Sequence, residues 1–303
     1  MINGFVVINK PAGITSHDVV SRVRRILGTR KVGHTGTLDP FATGVLPVAV
    51  NDGTKAIPFL DEGVKCYEAV MQLGVATDTL DMTGEVIRKA DCQAVTRENV
   101  EAVLKRFTGH LRQIPPMYSA IKRDGQPLYK LARQGQVVER TAREIDIFTL
   151  ELLSFTPPFV RFRVVCSRGT YVRTLADDMG ELLGCGGALK ELRRISSGPF
   201  EISSAVSLEG LEEAAKSGSL EILSVSPYAA LSHLTDVPLN DDGLALVRHG
   251  RSPEWHDTEV PVPTACDGET LVRLSRDETL IAVAACRMCE NAAPRIILKR
   301  VFM

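Results

Sequence analysis

Asp39 stands before a proline at the end of a glycine- and threonine-rich run, Gly33-His34-Thr35-Gly36-Thr37-Leu38-Asp39-Pro40. A carboxylate there either closes a turn or acts on a substrate held over the loop. No second carboxylate lies near it in sequence, which leaves the paired-carboxylate geometry of glycoside hydrolysis unsupported. His34 beside Gly33 is a base or a structural loop histidine. Gly169-Thr170-Tyr171-Val172-Arg173 sits where a strand gives way to a helix, a place where backbone N–H groups can hold an anion. It lacks the spacing and the Lys-Ser/Thr pair of a P-loop, which argues against nucleotide hydrolysis. Tyr67, in Lys65-Cys66-Tyr67-Glu68-Ala69, is a half-buried strand aromatic or a flat wall for a base. Cys286-Arg287-Met288-Cys289 has ligand spacing, and Cys266 with His256 could complete four ligands. A structural zinc normally needs a second closely spaced pair, so two thiols and no metal are expected.

The elements that must position these groups can be read from periodicity. Phe5–Asn9 is apolar and β-branched, a strand broken by Lys10-Pro11-Ala12-Gly13. Ser16 is the expected N-cap of a helix carrying Val19, Val20, Val23, Ile26 and Leu27 and ending at Gly28. Residues 33–44 read as a loop, with strands at Val45–Val50 and Cys66–Leu73. Thr96 caps a helix running to Phe107. Residues 109–143 form an extended excursion with one short helix near Leu128–Arg133. Ile145–Phe155 and Val160–Ser167 pair as strands, Tyr171–Leu183 is a helix stopped by Gly184, and Ser207–Lys216 is another. From about residue 240 short β-like runs, including Leu244–Val247, Thr270–Leu274, Thr279–Ala284 and Arg295–Phe302, suggest a small separate β module.

With 303 residues, 44% hydrophobic and 24% charged, the chain has ordinary globular composition and enough length for a large domain and a smaller one. Its N-terminal apolar run is short and lacks a basic flank, and no stretch is long enough to span a membrane, so a soluble cytoplasmic protein is expected. The odd count of seven cysteines points to reduced thiols. Net charge is −1, yet residues 1–200 carry +6 and residues 201–303 carry −7. Nine of the basic residues fall in 105–143 against two acids. A polyanion can bind such a stretch while the whole chain stays near neutral, because affinity follows local phosphate contacts.

Taken together, these segments resemble the TruB family of tRNA pseudouridine synthases. The resemblance is carried by Phe5–Ser16 (FVVINKPAGITS), Lys31–Pro47 (KVGHTGTLDPFATGVLP), Tyr67 with Leu73–Thr79 (LGVATDT), Gln113–Lys122 (QIPPMYSAIK), Cys166–Leu175 (CSRGTYVRTL) and Leu192-Arg193-Arg194, in the family's order over about residues 4–200. It implies an α+β pseudouridine-synthase fold, with a mixed and mainly antiparallel sheet flanked by helices. Residues 1–235 would be the catalytic domain, with a basic thumb-like insertion at about 109–143, and 240–303 a β-rich PUA-like RNA-binding module. It implies conversion of uridine 55 in the T-loop of tRNA to pseudouridine. Asp39 matches the catalytic aspartate, Tyr67 the aromatic that stacks on the base, and Arg173 the arginine paired with the aspartate. His34, Tyr171 and Leu192 match residues lining the uridine pocket, Lys10 matches a lysine near the site, and Lys122, Arg123 and Lys130 fall in the thumb. No cofactor, metal, membrane or obligate protein partner is implied, and a monomer bound to the T-loop and T-arm is expected.

The physical demands of that reaction fit these residue types. The target base must leave its stack, at a cost of a few kcal/mol. Stacking on Tyr67 would return about 1–3 kcal/mol. Burial raises a carboxylate pKa, and a neighbouring guanidinium lowers it by roughly 1–3 units, so Arg173 is expected to keep Asp39 charged. A non-catalytic tRNA-binding or tRNA-folding protein, or a synthase acting on another RNA, are the competing readings.

Overall fold

The fold is that of a computed structural model describing residues 2–123, 125–263, 268–289 and 292–302; the side chains of 288, 289, 292 and 293 lie outside that description. The chain opens with β1 (Gly4–Lys10), α1 (Ser16–Leu27), β2 (Val32–His34) and β3 (Thr43–Val50). A short α2 (Gly53–Ala56), β4 (Val64–Leu73), the hairpin β5 (Val75–Thr77) with β6 (Val86–Lys89), and α3 (Arg97–Arg106) follow. Next come β7 (Gly109–Gln113), the small pair β8 (Lys122–Arg123) and β9 (Gln126–Pro127), and α4 (Leu128–Arg133). The large sheet and its helices are completed by β10 (Arg143–Thr156), β11 (Phe159–Ser167), α5 (Val172–Leu182), β12 (Gly187–Ser197), β13 (Phe200–Glu201) and α6 (Leu208–Ser217). The chain closes with β14 (Ser224–Val225), α7 (Pro227–Ala230), β15 (Thr235–Pro238), α8 (Asp241–Arg248), β16 (Glu269–Arg276), β17 (Thr279–Cys289) and β18 (Ala292–Val301).

One ten-stranded sheet organises the molecule, in the order β14-β1-β3-β12-β4-β11-β10-β7, with β13 and β2 attached beside it. Every pairing in it is antiparallel except β3 with β12, where Arg193 and Arg194 run parallel to Thr43 and Gly44. Strand β1 shows why the sheet lies in the interior. Its residues are apolar on both faces, as a strand covered on both sides requires. Val6 and Ile8 join the core beneath α1, α3, α5 and α6. Phe5 and Val7 face the other way and pack with Leu280, Val283 and Phe302 of the C-terminal unit.

The helices follow their apolar spacing. In α5, Val172, Leu175, Ala176 and Met179 are buried at intervals of three, four and seven. Helix α1 is capped by Thr15 rather than Ser16. Thr15 accepts from the Asp18 N–H while Asp18 accepts from the Thr15 N–H, a reciprocal box that Ser16 cannot make with its neighbour three residues on. The C-terminal unit is a four-stranded sheet in the order β15-β16-β17-β18. Within it Leu244–Val247 is not a strand but part of α8, because Asn240 caps the helix and Asp241 and Asp242 occupy its first turn. The 109–143 stretch begins as β7, paired with β10, and leaves the sheet only after Gln113. Among the described residues no helix is long and apolar enough to cross a membrane.

Candidate active site

The loop bearing Asp39 is held from several sides. Ser16 Oγ accepts from the Leu38 N–H at 2.9 Å and donates to Leu38 O at 3.1 Å. Lys10 is fully buried, and its Nζ donates to Pro11 O (2.9 Å), Ile14 O (2.8 Å) and Pro40 O (3.1 Å). Burial lowers the Lys10 ammonium to about 8, with Asp39 opposing. All three of its donors serve carbonyls, so its action on the site runs through the shape of the loop. Arg194, also fully buried, donates from Nε to Val45 O at 2.7 Å and from Nη2 to Gly36 O at 2.8 Å, tying both ends of the loop to β12. At Gly44, φ is +99° and a Cβ would lie 2.2 Å from Arg194 O, so only glycine lets β3 start this close to β12.

Asp39 then meets Arg173, from the first turn of α5. Arg173 Nε lies 2.8 Å from Asp39 Oδ2, and Nη2 donates to Oδ1 at 3.2 Å. The Nε contact is a close ion pair but not a well-aligned hydrogen bond. The arginine side chain is 4% exposed and the aspartate 35%, so the cation is sealed and the carboxylate opens outward. Arg173 is oriented by further partners: Nη1 donates to Thr79 O at 2.9 Å and sits 3.6 Å from Asp81 Oδ2, and Nη2 donates to Tyr118 O at 2.7 Å. Asp81 is itself buried and fixed by the Thr83 hydroxyl (2.5 Å), the Thr83 N–H (2.9 Å) and the Thr79 hydroxyl (3.1 Å). One guanidinium thus bridges two carboxylates. Burial raises the Asp39 carboxyl above its ordinary value, Arg173 pulls it back and Asp81 raises it again. The net direction is upward, with burial the largest cause.

Tyr67 is buried on β4, cross-strand from Val164 and Arg194, and shares a core with Leu38 and Leu192. Burial raises its hydroxyl, with Arg194 opposing. Leu192 lies on β12 opposite Ala69, two residues along β4 from Tyr67. These side chains give the site an apolar wall. His34 ends β2 half-buried; burial, Arg194 and His17 hold its pKa below the ordinary value, and its Nδ1 is buried without a hydrogen-bond partner. Tyr171 precedes α5. Its N–H donates to Gln113 Oε1 at 2.8 Å, and Gln113 Nε2 donates to its carbonyl at 3.1 Å. Burial raises the Tyr171 hydroxyl, and Ser119 opposes.

Asp39, Tyr67, Arg173, Tyr171, Leu192, His34 and Lys10 are therefore gathered around one loop. Lys122, Arg123 and Lys130 are not; they lie apart on the excursion, Lys122 and Arg123 on β8 and Lys130 on α4, with exposed side chains. Sequence reasoning gave no role in the site to Asp81, Arg194 or Gln113, and marked Ser16 only as a helix cap. Arg194 stood in a motif that could have marked it, whereas nothing local distinguished Asp81 from a turn aspartate. Two surface grooves beside α3 and the end of α5 contain none of the site residues. Among the described residues no group of three or more His, Cys, Asp or Glu could hold a metal. The Cys286/Cys289 spacing cannot be placed as a pair, because the Cys289 side chain and Cys266 lie outside the described residues.

The arrangement can hold a flat base against Tyr67 and Leu192 while a positioned carboxylate reaches it from the loop. Comparison with known proteins agrees in kind. Residues 24–172 match the family model described as TruB family pseudouridylate synthase (N terminal domain), and residues 173–224 match the tRNA pseudouridylate synthase B C-terminal domain. The chain is 56% identical over 283 residues to tRNA pseudouridine synthase B of Geobacter sulfurreducens, covering 93% of each. It is 47% identical over 264 residues to that of Stutzerimonas stutzeri, covering 87% of this chain and 85% of the relative. It is also similar to solved structures titled as a Cbf5-Nop10-Gar1 complex (TM-score 0.76, 28% identity) and an H/ACA RNP bound to a substrate RNA containing 2'-deoxyuridine (TM-score 0.75, 26% identity). In both cases 99% of this chain and 85% of the other are covered.

Proposed function

We propose a function on the premise that the chain belongs to the TruB family of pseudouridylate synthases: it isomerises a uridine of tRNA to pseudouridine, at position 55 in the T-loop. The reaction breaks the bond from ribose to base nitrogen and remakes it to carbon 5 of the same base, with carbon 5 losing a proton and the nitrogen gaining one. No net redox change occurs, and no metal or organic cofactor is needed. The detached base must turn without escaping. Tyr67 and Leu192 supply the apolar wall for that turn. Asp39 is the group that exchanges the bond, and Arg173 positions it. His34 and Tyr171 line the uridine pocket, and Lys10 holds the loop.

The observation that carries this reading is the sealed guanidinium of Arg173 aiming the half-open carboxylate of Asp39 beside Tyr67. A protein that only bound or folded tRNA would have no use for a carboxylate so placed. We also propose that the protein works as a cytoplasmic monomer, with the exposed Lys122, Arg123 and Lys130 gripping the T-arm and the C-terminal sheet acting as a PUA-like module. Incubation with unmodified tRNA and mapping of pseudouridine tests the reading. Wild type should modify one T-loop uridine, and Asp39→Asn should bind but form none. Product from Asp39→Asn at an undiminished rate would overturn the role of Asp39, and modification of another RNA in preference to tRNA would overturn the substrate.

A further inference from the structure

The cations around Gly36 exceed what the loop itself requires. Arg194 holds two carbonyls and lies within reach of the Tyr67 hydroxyl, yet its Nη1 is buried with no well-aligned hydrogen bond. A side-chain carbon on Gly36 would lie 3.2 Å from that Nη1 and 3.0 Å from Lys65 Nζ. Two cationic groups therefore converge on one point of the loop that carries Asp39. The Lys65 side chain is 12% exposed, and its nearest carboxylate, on Glu62, stands 4.0 Å away. Arg168 and Arg194 add to the positive side around it, and burial and Arg194 together lower the Lys65 ammonium despite Glu62. His34 Nδ1, which also feels Arg194, is a further buried nitrogen with no partner.

Leaving a buried donor unmatched costs about 1–3 kcal/mol, more for a charged group, and crowding like charges adds to it. An ordered water could accept from Nη1, but it brings no charge and leaves the two cations facing each other. A phosphodiester oxygen brings both an acceptor and a negative charge. We propose that Lys65 and Arg194 form an anion cradle beside Gly36 that takes a phosphodiester of the RNA strand carrying the target uridine. The inference rests on the reading that RNA is the substrate. Position supports it. Gly36 is three residues before Asp39, and Lys65 is two residues before Tyr67, on the same face of β4. A phosphate held there belongs to the nucleotide whose base meets Tyr67, or to its neighbour. While the base is detached, only the backbone keeps the ribose in place, and a clamped phosphate provides that anchor.

Single uncharged methylphosphonate linkages, placed in turn around the target uridine of a T-arm hairpin, test the cradle. Wild type should lose roughly tenfold in affinity at one linkage, the loss of one charge-assisted contact. Lys65→Met should be indifferent at that linkage, with a log–log salt slope shallower by about 0.7. Lys65→Arg should keep both sensitivities. A wild type indifferent at every linkage, or a Lys65→Met with unchanged slope, would overturn the proposal; if Lys65→Met does not fold, the wild-type scan decides alone. Failure of the functional reading shows separately, as absence of pseudouridine from wild type and intact tRNA.

Discussion

Asp39 and Lys10 set opposite limits on the pH at which the loop can work. In the proposed role the carboxylate must be ionised to act, and burial raises its pKa above the ordinary value. Activity should therefore fall on acidification at a pH higher than a solvated aspartate would give. Lys10, lowered to about 8, loses its proton on the other side. A neutral amine has two N–H groups for three carbonyls, so the loop loses a tether as pH rises through that value. A pH–rate profile of kcat/KM should be bell-shaped, its alkaline limb near 8 and absent in Lys10→Met. Asp81 gives a sharper test. Asp81→Asn removes a like charge, so the acid limb should move to lower pH, while kcat drops roughly 10–100-fold because Arg173 loses an orienting partner. A limb that moves upward would mean the coupling has the wrong sign. Asp39, Tyr67 and Arg173, which the fold brings together, stood out in the sequence because each sits in a segment that resembles the family's. Asp81 was not, since its carboxylate gains meaning only when the chain folds Arg173 over it.

At the level of elements, regular periodicity was legible and interrupted periodicity was not. Strand β12, at the centre of the sheet, escaped notice because Leu189, Leu192 and Ile195 are spaced by three, as in a helix. Irregularities between Leu189 and Glu191, and between Arg194 and Ser196, shift the register and absorb that spacing within a strand. Helix α8 escaped because its apolar run is four residues long and its signal lies in the cap. The caps themselves make a modest, measurable contribution: Thr15→Ala should cost about 1 kcal/mol in denaturant unfolding. Gly44→Ala should be far worse. It places a Cβ 2.2 Å from Arg194 O at a positive φ. We expect a loss of about 3 kcal/mol or more, with activity falling further than stability because the displaced strand carries the Asp39 loop.

Among the described residues the molecule has three cores, one on either side of the large sheet and a third inside the C-terminal unit. The back core joins Phe5, Val7, Val45 and Ala49 of the large sheet to Leu280, Val283 and Phe302 of the C-terminal unit. Truncating Phe302 to alanine should cost about 3–5 kcal/mol and separate thermal unfolding into two steps, the C-terminal sheet leaving first; a single unshifted transition would show that the shared core does not couple them. Charge acts over a longer range. Neutralising Lys122, Arg123 and Lys130 should flatten the salt dependence of tRNA binding by about two to three units of slope, and an unchanged slope would make the excursion a solvated surface. The separate C-terminal sheet corresponds to a change of texture in the sequence near residue 240. The core it shares with β1 was not legible, because a strand buried on both faces reads only as a hydrophobic strand until the second sheet is in place.

The bonds from Arg194 to Val45 and Gly36 span 149 and 158 residues of sequence. On a ribosome adding about 5–20 residues per second, the Asp39 loop emerges about 7–30 s before the strand that ties it down. A nascent chain therefore carries Asp39 without Arg173, Leu192 or the Lys65–Arg194 pair properly arranged. Chemistry is withheld from the growing polypeptide by contact order alone, and activity should appear in synchronised translation only after β12 has cleared the exit tunnel.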